Sequence, residues 1–208
     1  MRLLDRAPVR ALLVAATATV VLTACGGNDS DSDSTSSSSP SASSSADGGG
    51  SSAPTPTAKA ADGDRVEADG FSYAVPEGWK ENKGGAGAAL SLAIDVTDQD
   101  GFADNVNVVS DPTIVNVKGK QLEDALVKVL ENANAQDVEV RDPLTIDGQE
   151  AVHSTAVFNL NGNEYRVEQY TLAVDGKGYV ITFSHNKDLP EADRDAVDQS
   201  ILASWSWA

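Results

Sequence analysis

The two histidines of the chain are the residues best suited to acid–base chemistry, because an imidazole changes its charge near neutral pH. His153 and His185 lie in segments rich in β-branched and aromatic residues, which predict strands of an antiparallel meander. A two-residue turn at Asn161-Gly162 pairs His153 with Tyr170, and the next turn pairs His185 with Arg166 or Glu168. Side chains alternate along a strand, so the pairing predicts one shared polar face. The residues on that face are His153, Thr155, Arg166, Glu168, Tyr170 and His185.

This polar face has two interpretations. In the functional one, Arg166, Glu168, Tyr170 and His185 bind a ligand or partner, or form a pH-responsive pair. Leu172, Ile181 and Phe183 lie on the same face and would take the apolar part of a ligand. In the structural interpretation the charged residues only pair with one another, at the sheet end or at the edge of a covering helix. No serine lies in a Gly-x-Ser-x-Gly sequence, so we predict no catalytic residues and no enzyme.

An acidic loop at residues 95–105 is the best candidate for a metal site. Hard cations bind several carboxylate and carbonyl oxygens on a tight loop. Asp98 and Asp100 match positions three and five of an EF-hand loop, whereas Val96 and Asn107 stand where the ligands of positions one and twelve belong. Asp98, Asp100 and Asp104 are therefore weak candidates. We expect no bound metal and no cofactor.

Cys25 carries a different kind of chemistry. Arg2, Arg6 and Arg10 precede an uncharged, mostly apolar run at residues 11–21, which is too short to span a bilayer. Leu22-Thr23-Ala24-Cys25 follows and resembles the bacterial lipobox, in which the cysteine thiol accepts diacylglycerol. The sequence therefore predicts a lipoprotein signal peptide at residues 1–24. It also predicts a lipid anchor on Cys25 that holds the protein at the extracytoplasmic face of the cell membrane.

Residues 25–65 are predicted to be a flexible linker. From residue 26 to residue 65 the chain contains no Val, Ile, Leu, Met, Phe, Tyr or Trp, and it consists mainly of Ser, Gly, Pro, Ala, Thr and Asp. Such a segment buries little apolar surface to offset the entropy lost on ordering. The alternatives of a plain spacer and an O-glycosylated one both remain open. The foldable part is then residues 66–208, which is long enough for one hydrophobic core.

The pattern of residues 66–208 predicts an α+β domain with an antiparallel sheet and two packing helices. Apolar residues recur at helical spacing between residues 118 and 135, and Pro190 suits the first turn of a second helix over residues 190–204. The segments predicted to be strands are 71–75, 88–96, 106–109, 138–140, 149–160, 164–174 and 179–185. Asp147-Gly148, Asn161-Gly162 and Asp175-Gly176 mark hairpin turns.

Two short sequences carry a resemblance to known families. Residues 73–79, Tyr-Ala-Val-Pro-Glu-Gly-Trp, resemble the opening strand of PsbP/DcrB-like domains. Residues 101–108, together with the late meander and helix, resemble the LpqN/LpqT lipoproteins of actinobacteria. The resemblance implies an α/β/α sandwich of a kind also found in photosystem extrinsic subunits and Ran-binding Mog-type proteins. The LpqN branch is linked to cell-envelope biogenesis and partner binding, and the family supplies no catalytic motif.

The charge of the chain limits its partners. The formal net charge is −17, which repels the phosphates of nucleic acids and anionic lipid headgroups. The predicted anchor, the absence of catalytic motifs and the family resemblance together predict a non-catalytic binding or accessory lipoprotein of the cell envelope. It would contact the membrane through Cys25, and envelope or transport proteins, or an apolar ligand, through its domain. The alternatives are a hydrolase with an unrecognised site and a structural or stress lipoprotein without a specific ligand.

Overall fold

Residue pairs with positive φ angles form the hairpins of the main sheet. Asp147 and Gly148 have φ angles of 44° and 79°, and Asp175 and Gly176 have φ angles of 48° and 77°. This conformation makes two-residue turns between antiparallel strands, as the Asp-Gly sequences predict. The structure is a computed structural model that describes residues 53–160 and 162–208. The predicted signal peptide, Cys25, the linker before residue 53, and Asn161 lie outside the described residues.

The described part of the chain contains the predicted meander, both predicted helices and several short strands. In chain order the elements are β1 (Arg65–Ala68), β2 (Phe71–Ala74), β3 (Trp79–Glu81), β4 (Ser91–Asp95), β5 (Asn105–Ser110), a 3-10 turn (Pro112–Ile114), α1 (Gly119–Asn132), β6 (Gln136–Ile146), β7 (Gln149–Leu160), β8 (Asn163–Val174), β9 (Lys177–Asn186), α2 (Glu191–Ala203) and β10 (Ser206–Trp207). The larger sheet has seven strands in the order β3-β4-β5-β9-β8-β7-β6, and the smaller has the order β1-β2-β10. Every described strand pair is antiparallel, so the α+β prediction is confirmed.

The two helices lie on opposite faces of the larger sheet. Leu130 of α1 and Val167 of β8 belong to one hydrophobic cluster. Ile201 of α2 belongs to a different cluster, which contains Tyr170 of the same strand. Residues an odd number of positions apart in a strand point to opposite faces, so α1 and α2 form separate layers. The smaller sheet lies on the α2 side, where Trp205 stacks 4.8 Å from the ring of Tyr73.

Strand β6 is much longer than the pattern at residues 138–140 predicts. It spans Gln136–Ile146 at an edge of the larger sheet and contains Pro143, with register shifts between Gln136 and Glu139 and between Arg141 and Leu144. Proline is tolerated at a sheet edge because its missing N–H leaves no bond of the ladder unmade. The proline and the irregular pairing together explain why the sequence shows only the central part of the strand.

Residues before the predicted domain boundary at residue 66 also contact the domain. Residues 53–64, here called the N-terminal strap, lie against β6 and α2. The carbonyl oxygen of Pro54 accepts a hydrogen bond from the backbone N–H of Thr145 at 2.7 Å. The backbone N–H of Ala61 donates to the carbonyl oxygen of Ser200 at 2.8 Å. Backbone hydrogen bonds, which residue composition does not reveal, therefore hold this part of the predicted linker on the domain.

Gly178 provides a direct test of the packing between β9 and the 3-10 turn. A Cβ atom at this position would overlap the carbonyl oxygen of Asp111 and would lie 2.5 Å from Cγ1 of Ile114. We therefore expect Gly178→Ala to lower the free energy of unfolding by about 1–3 kcal/mol, as overpacking typically does. Urea denaturation followed by tryptophan fluorescence measures this change. Gly84→Ala is the matched control, because nothing lies within 4 Å of its Cβ position. A Gly178→Ala variant as stable as this control would contradict the observed packing.

Candidate functional site: a buried carboxylate–histidine cluster

The register of β7, β8 and β9 brings the predicted polar residues onto one face. His153 lies opposite Tyr170, and Thr155 lies opposite Glu168, as the turn after Leu160 predicts. The two-residue turn at Asp175 and Gly176 pairs Arg166 with His185, which selects one of the two predicted registers. The prediction that these side chains share a face is therefore confirmed.

Helix α2 covers most of this face. His185 is fully buried, and Glu168 and Tyr170 are only 1% and 4% exposed, whereas Arg166 is half-buried. The ring of His153 stacks on that of Tyr170 with 4.3 Å between the ring centroids. Burial also raises the pKa of the Tyr170 hydroxyl. Among the four predicted binding residues, a ligand could touch Arg166 directly. It would reach the other three only if α2 moved.

His185 lies between two carboxylates that come from different parts of the fold. Its Nδ1 is 2.9 Å from Oδ2 of Asp104, in the loop before β5, and its Nε2 is 2.7 Å from Oδ1 of Asp198 on α2. A histidine ring donates from both nitrogens only when it is protonated. Although burial opposes the charge, the hydrogen bonds and negative charges of the two carboxylates raise the pKa of His185 to about 9. At neutral pH the ring is therefore a buried cation between two anions.

Asp198 is itself shifted by its surroundings. Its burial raises the pKa of the carboxyl group to about 6, and the hydrogen bond from His185 opposes that rise. Its second oxygen, Oδ2, is buried and has no hydrogen-bond partner among the described residues. Asp198 is thus held in its charged form mainly by the contact with His185. Removing the ring would leave this carboxylate without its main partner.

Glu168 forms a second ion site beside the first. Its Oε1 accepts a hydrogen bond from the hydroxyl of Thr155, and its Oε2 lies 3.0 Å from Nε2 of His153. Nε of Arg194, on α2, is 4.0 Å from Oε1. Burial disfavours the charge of Glu168, but hydrogen bonds from His153 and Thr155 and the positive charge of Arg141 prevail and lower its pKa.

The cluster connects α2 to the sheet. Asp198 and Arg194 on the helix meet His185 and Glu168 on the strands, and near the start of α2 Glu191 pairs with Arg141 at 2.8 Å. Both ring nitrogens of His185 are already engaged, so the ring has no free position for proton transfer to a substrate. The arrangement supports a structural role for these groups. The role of Arg166, Glu168, Tyr170 and His185 in binding stays a prediction.

The acidic loop is held by hydrogen bonds within the fold. Oδ1 of Asp98 accepts from the N–H of Asp100 at 3.0 Å, and Oδ2 of Asp100 accepts from the amide of Asn186 at 2.7 Å. Asp104 accepts from the backbone N–H of Asn186 with the oxygen that His185 does not use. Across residues 53–160 and 162–208, no three His, Cys, Asp or Glu side chains are grouped as metal ligands. These carboxylates serve the loop and the buried cluster.

Sequence reasoning missed Asp198 and the structural role of Asp104. Asp104 is 81 residues from His185 in the sequence, so no local spacing relates them. Asp198 could have been recognised as a buried residue from the sequence, because it lies three residues before Ile201 on the face of α2 that packs inward. A carboxylate on the apolar face of a helix requires a buried partner. The nearest basic residue of suitable spacing, Arg194, is the partner of Glu168 instead.

The geometry thus defines an α+β domain in which a buried ionic cluster joins a helix to an antiparallel sheet. No protein-family model matches the chain, and no curated protein matches it. Within the described part of the chain, no helix has the length and apolar character needed to cross a membrane.

Several solved structures are partly similar to this chain. A protein from Bacteroides thetaiotaomicron shares 15% identity over 70% of this chain, with a TM-score of 0.45, and the chain spans only 48% of its length. Cyanobacterial PsbP from Synechocystis shares 18% identity over 70% of this chain and 92% of its own, with a TM-score of 0.44. LpqN of Mycobacterium tuberculosis, which is involved in cell envelope biogenesis, shares 15% identity over 74% of this chain and 90% of its own, with a TM-score of 0.44. The two families that the sequence resembles are thus represented among these structures.

Proposed function

We propose that this chain is a lipid-anchored, non-catalytic binding or accessory protein of the cell envelope, held at the extracytoplasmic face of the membrane by Cys25. The observation that carries the non-catalytic part of this proposal is the enclosure of His185 between Asp104 and Asp198 beneath α2. Acid–base catalysis needs a group within hydrogen-bond reach of a substrate proton. In this domain the shifted pKa values of His185, Asp198 and Glu168 belong to groups that hold a helix on the sheet, which suits a rigid scaffold that presents a surface.

The anchor is supported by the sequence before the domain. A basic segment, an apolar run and Leu22-Thr23-Ala24-Cys25 occur in the order that lipid attachment requires. The domain carries much of the net charge of −17, so it would be repelled by anionic lipids and would extend away from the bilayer. A soluble domain on a lipid anchor is well placed to bind envelope proteins or to carry a ligand between them.

The anchor is tested by replacing its acceptor. We expect Cys25→Ala to move the protein from the membrane fraction to the soluble or secreted fraction, because no second anchor is predicted from the sequence. Immunoblotting of separated fractions measures the distribution, and Cys25→Ser serves as a second variant with a similar side-chain volume. Retention of both variants in the membrane at the wild-type level would contradict lipid attachment.

The same released protein tests the proposed lack of catalysis. It should turn over no generic ester, phosphoester or peptide substrate, while the wild-type protein should retain specific proteins or lipids in a pull-down from its own membranes. Turnover that His185→Gln abolishes without loss of folding would make the buried cluster a reaction centre. That result would overturn the proposal even if the anchor were confirmed.

A further inference from the structure

One face of the larger sheet has an unusual composition. Helix α1 packs on β6 and β7 and so covers only part of the face on its side. On the part formed by β4, β5, β9 and β8, amide and hydroxyl side chains recur on neighbouring strands. We call these residues the neutral strip: Asn105, Asn107, Gln169, Thr182, Ser184 and Asn186.

The strand register places these side chains next to one another. Asn107 lies opposite Thr182, which lies opposite Gln169 on its other side. Asn105 lies opposite Ser184, one pair further along the same strands. Along β9, Thr182 and Ser184 point to one face together with Asn186, because residues two apart share a face. The strip therefore extends about 13 Å along β9 at the usual rise of a strand.

The neutral strip has no charge, although the chain around it is strongly acidic. The remaining residues on this face of the four strands are also uncharged: Leu92, Ile94, Val109, Asn163, Tyr165, Val167, Thr171, Ala173, Gly178 and Val180. Because the net charge of the chain is −17, the protein as a whole would repel an anionic ligand. A cationic ligand would favour the carboxylates elsewhere on the surface. The composition of this face is complementary to an uncharged ligand.

The strip also has hydrogen-bonding capacity available for a ligand. Asn105, Asn107 and Gln169 are half-buried rather than enclosed, although the amide nitrogen of Asn105 already donates to the carbonyl oxygen of Ala103. The Asn186 amide is used within the fold, where it donates to Asp100 and accepts from the N–H of Asp188. The amide nitrogen of Gln169 donates to the hydroxyl of Thr182 at 3.1 Å, which leaves the amide oxygen for another donor.

Two hydroxyls beside the strip give an independent indication. Ser154 lies opposite Gln169, and Thr171 is two residues from Gln169 on the same face. Both are almost fully buried, and Ser154 Oγ and Thr171 Oγ1 have no hydrogen-bond partner in the described part of the protein. Buried hydroxyls without partners are costly, and a polar group that reached them would remove that cost.

A cleft of about 300 Å³ lies at one end of the strip, where β7 turns into β8. Asn186 belongs to both the strip and the cleft, and Phe102 and Asn163 also line the cleft, together with the charged residues Asp100, Glu164, Lys187 and Asp188. Their carboxylates can accept hydrogen bonds from uncharged hydroxyl groups. The ring of Phe102 is half-buried and stacks 5.3 Å from the ring of Tyr165. Ligand sites of this kind combine a concave shape, an aromatic or apolar wall and a few convergent polar groups.

We propose that the neutral strip and this cleft bind an uncharged oligosaccharide. Each sugar hydroxyl both donates and accepts, as the amides and hydroxyls of the strip do, and the C–H faces of a sugar ring can pack on Phe102. An extended peptide fits less well, since its side chains would meet hydrogen-bonding groups instead of apolar pockets. This inference rests on the proposed binding function and names its ligand class and its site.

The test uses the full-length Cys25→Ala chain and uncharged trisaccharides of glucose, mannose and N-acetylglucosamine. We expect at least one to shift the side-chain amide resonances of Asn105, Asn107 and Gln169 in ¹H–¹⁵N NMR spectra. The double variant Asn107→Ala with Gln169→Ala should weaken that binding at least tenfold in isothermal titration calorimetry. Gln121→Ala on the exposed side of α1 is the matched control and should change the affinity less than twofold.

Several results would overturn the inference. Among them are no shift of the strip amides by any uncharged trisaccharide at millimolar concentration, and wild-type affinity in a correctly folded double variant. Tighter binding of the cationic glucosamine trimer, of an anionic hyaluronan tetrasaccharide or of an unstructured peptide would assign the surface to another ligand class. Membrane fractionation and the turnover assays do not depend on these outcomes, so the proposed function can fail or survive separately.

Discussion

His185→Ala is expected to lower the free energy of unfolding by about 3–5 kcal/mol, which is the usual result of removing one partner from a buried ion pair. The variant leaves Asp104 and Asp198 facing each other beneath α2 without the cation that lies between them. Asp198 is 1% exposed, so bulk solvent does not screen the two remaining carboxylates. Urea denaturation followed by tryptophan fluorescence measures the change, because Trp205 belongs to the same core cluster as α2.

Two further substitutions show whether the loss of stability comes from the buried cluster or from the removal of any charged group. Lys120→Ala breaks the exposed pair between Lys120 and Asp124 and should leave the urea midpoint unchanged, since surface pairs contribute little. Asp198→Asn retains the shape of the side chain but removes its charge, so its effect should be smaller than that of His185→Ala. A His185→Ala variant that unfolds within 1 kcal/mol of the wild-type protein, a margin of about fivefold in the unfolding equilibrium, would show that the cluster does not fasten the helix.

The second large effect is a loss of stability at alkaline pH. The pKa of His185 is raised from 6.5 to about 9 in the folded protein. A group with a raised folded-state pKa contributes stability that is fully present below 6.5 and is lost as the pH rises through 9. A shift of this size corresponds to about 3 kcal/mol. The protein should therefore be less stable at pH 10 than at pH 6.

The other titratable and charged groups of the cluster are Asp104, His153, Arg166, Glu168, Arg194, Asp195 and Asp198. Two of them, Asp198 and Glu168, change this profile at acidic pH. The raised pKa of Asp198, about 6, means that its ionisation also costs stability as the pH rises through that value. Glu168 acts oppositely, because its lowered pKa makes the protein lose stability at strongly acidic pH. The decline between pH 7 and 10 therefore reports mainly on His185.

Thermal unfolding between pH 6 and pH 10 measures this effect. The wild-type midpoint should fall steadily above pH 7, and His185→Gln should remove most of that slope while starting from a lower midpoint. A wild-type midpoint that stays constant from pH 6 to pH 10 would mean that the ring does not carry the inferred charge. An identical slope in the variant would assign the dependence to another group.

Local residue chemistry was sufficient to predict the meander and its shared polar face. The Asp-Gly turns fix the hairpins, and each two-residue turn fixes the register of the strands that it joins. For this reason the pairing of Arg166 with His185 could be reduced to two alternatives before the structure was known. The apolar spacing of α1 was equally informative, since Leu122, Leu126 and Leu130 are its buried residues.

The layer above the polar face could not be predicted in the same way. The position of α2 depends on packing between distant segments, and Asp104 reaches His185 from the loop before β5. The N-terminal strap depends on backbone hydrogen bonds from a segment of polar and small residues. In both cases the contacts that matter join residues that no repeating pattern in the sequence relates to each other. Sequence patterns therefore predicted which residues meet within the sheet, but not what covers them.

The protonation of the two ring nitrogens of His185 gives the most direct test of the central claim. That claim is that the ion pairs of this buried cluster hold α2 on the sheet. Long-range ¹H–¹⁵N NMR of the histidine side chains distinguishes the doubly protonated ring from either neutral tautomer. The predicted result is a His185 ring that carries protons on both nitrogens at pH 7 and loses one only near pH 9. A neutral ring at pH 7, titrating near the ordinary histidine pKa of about 6.5, would contradict the account.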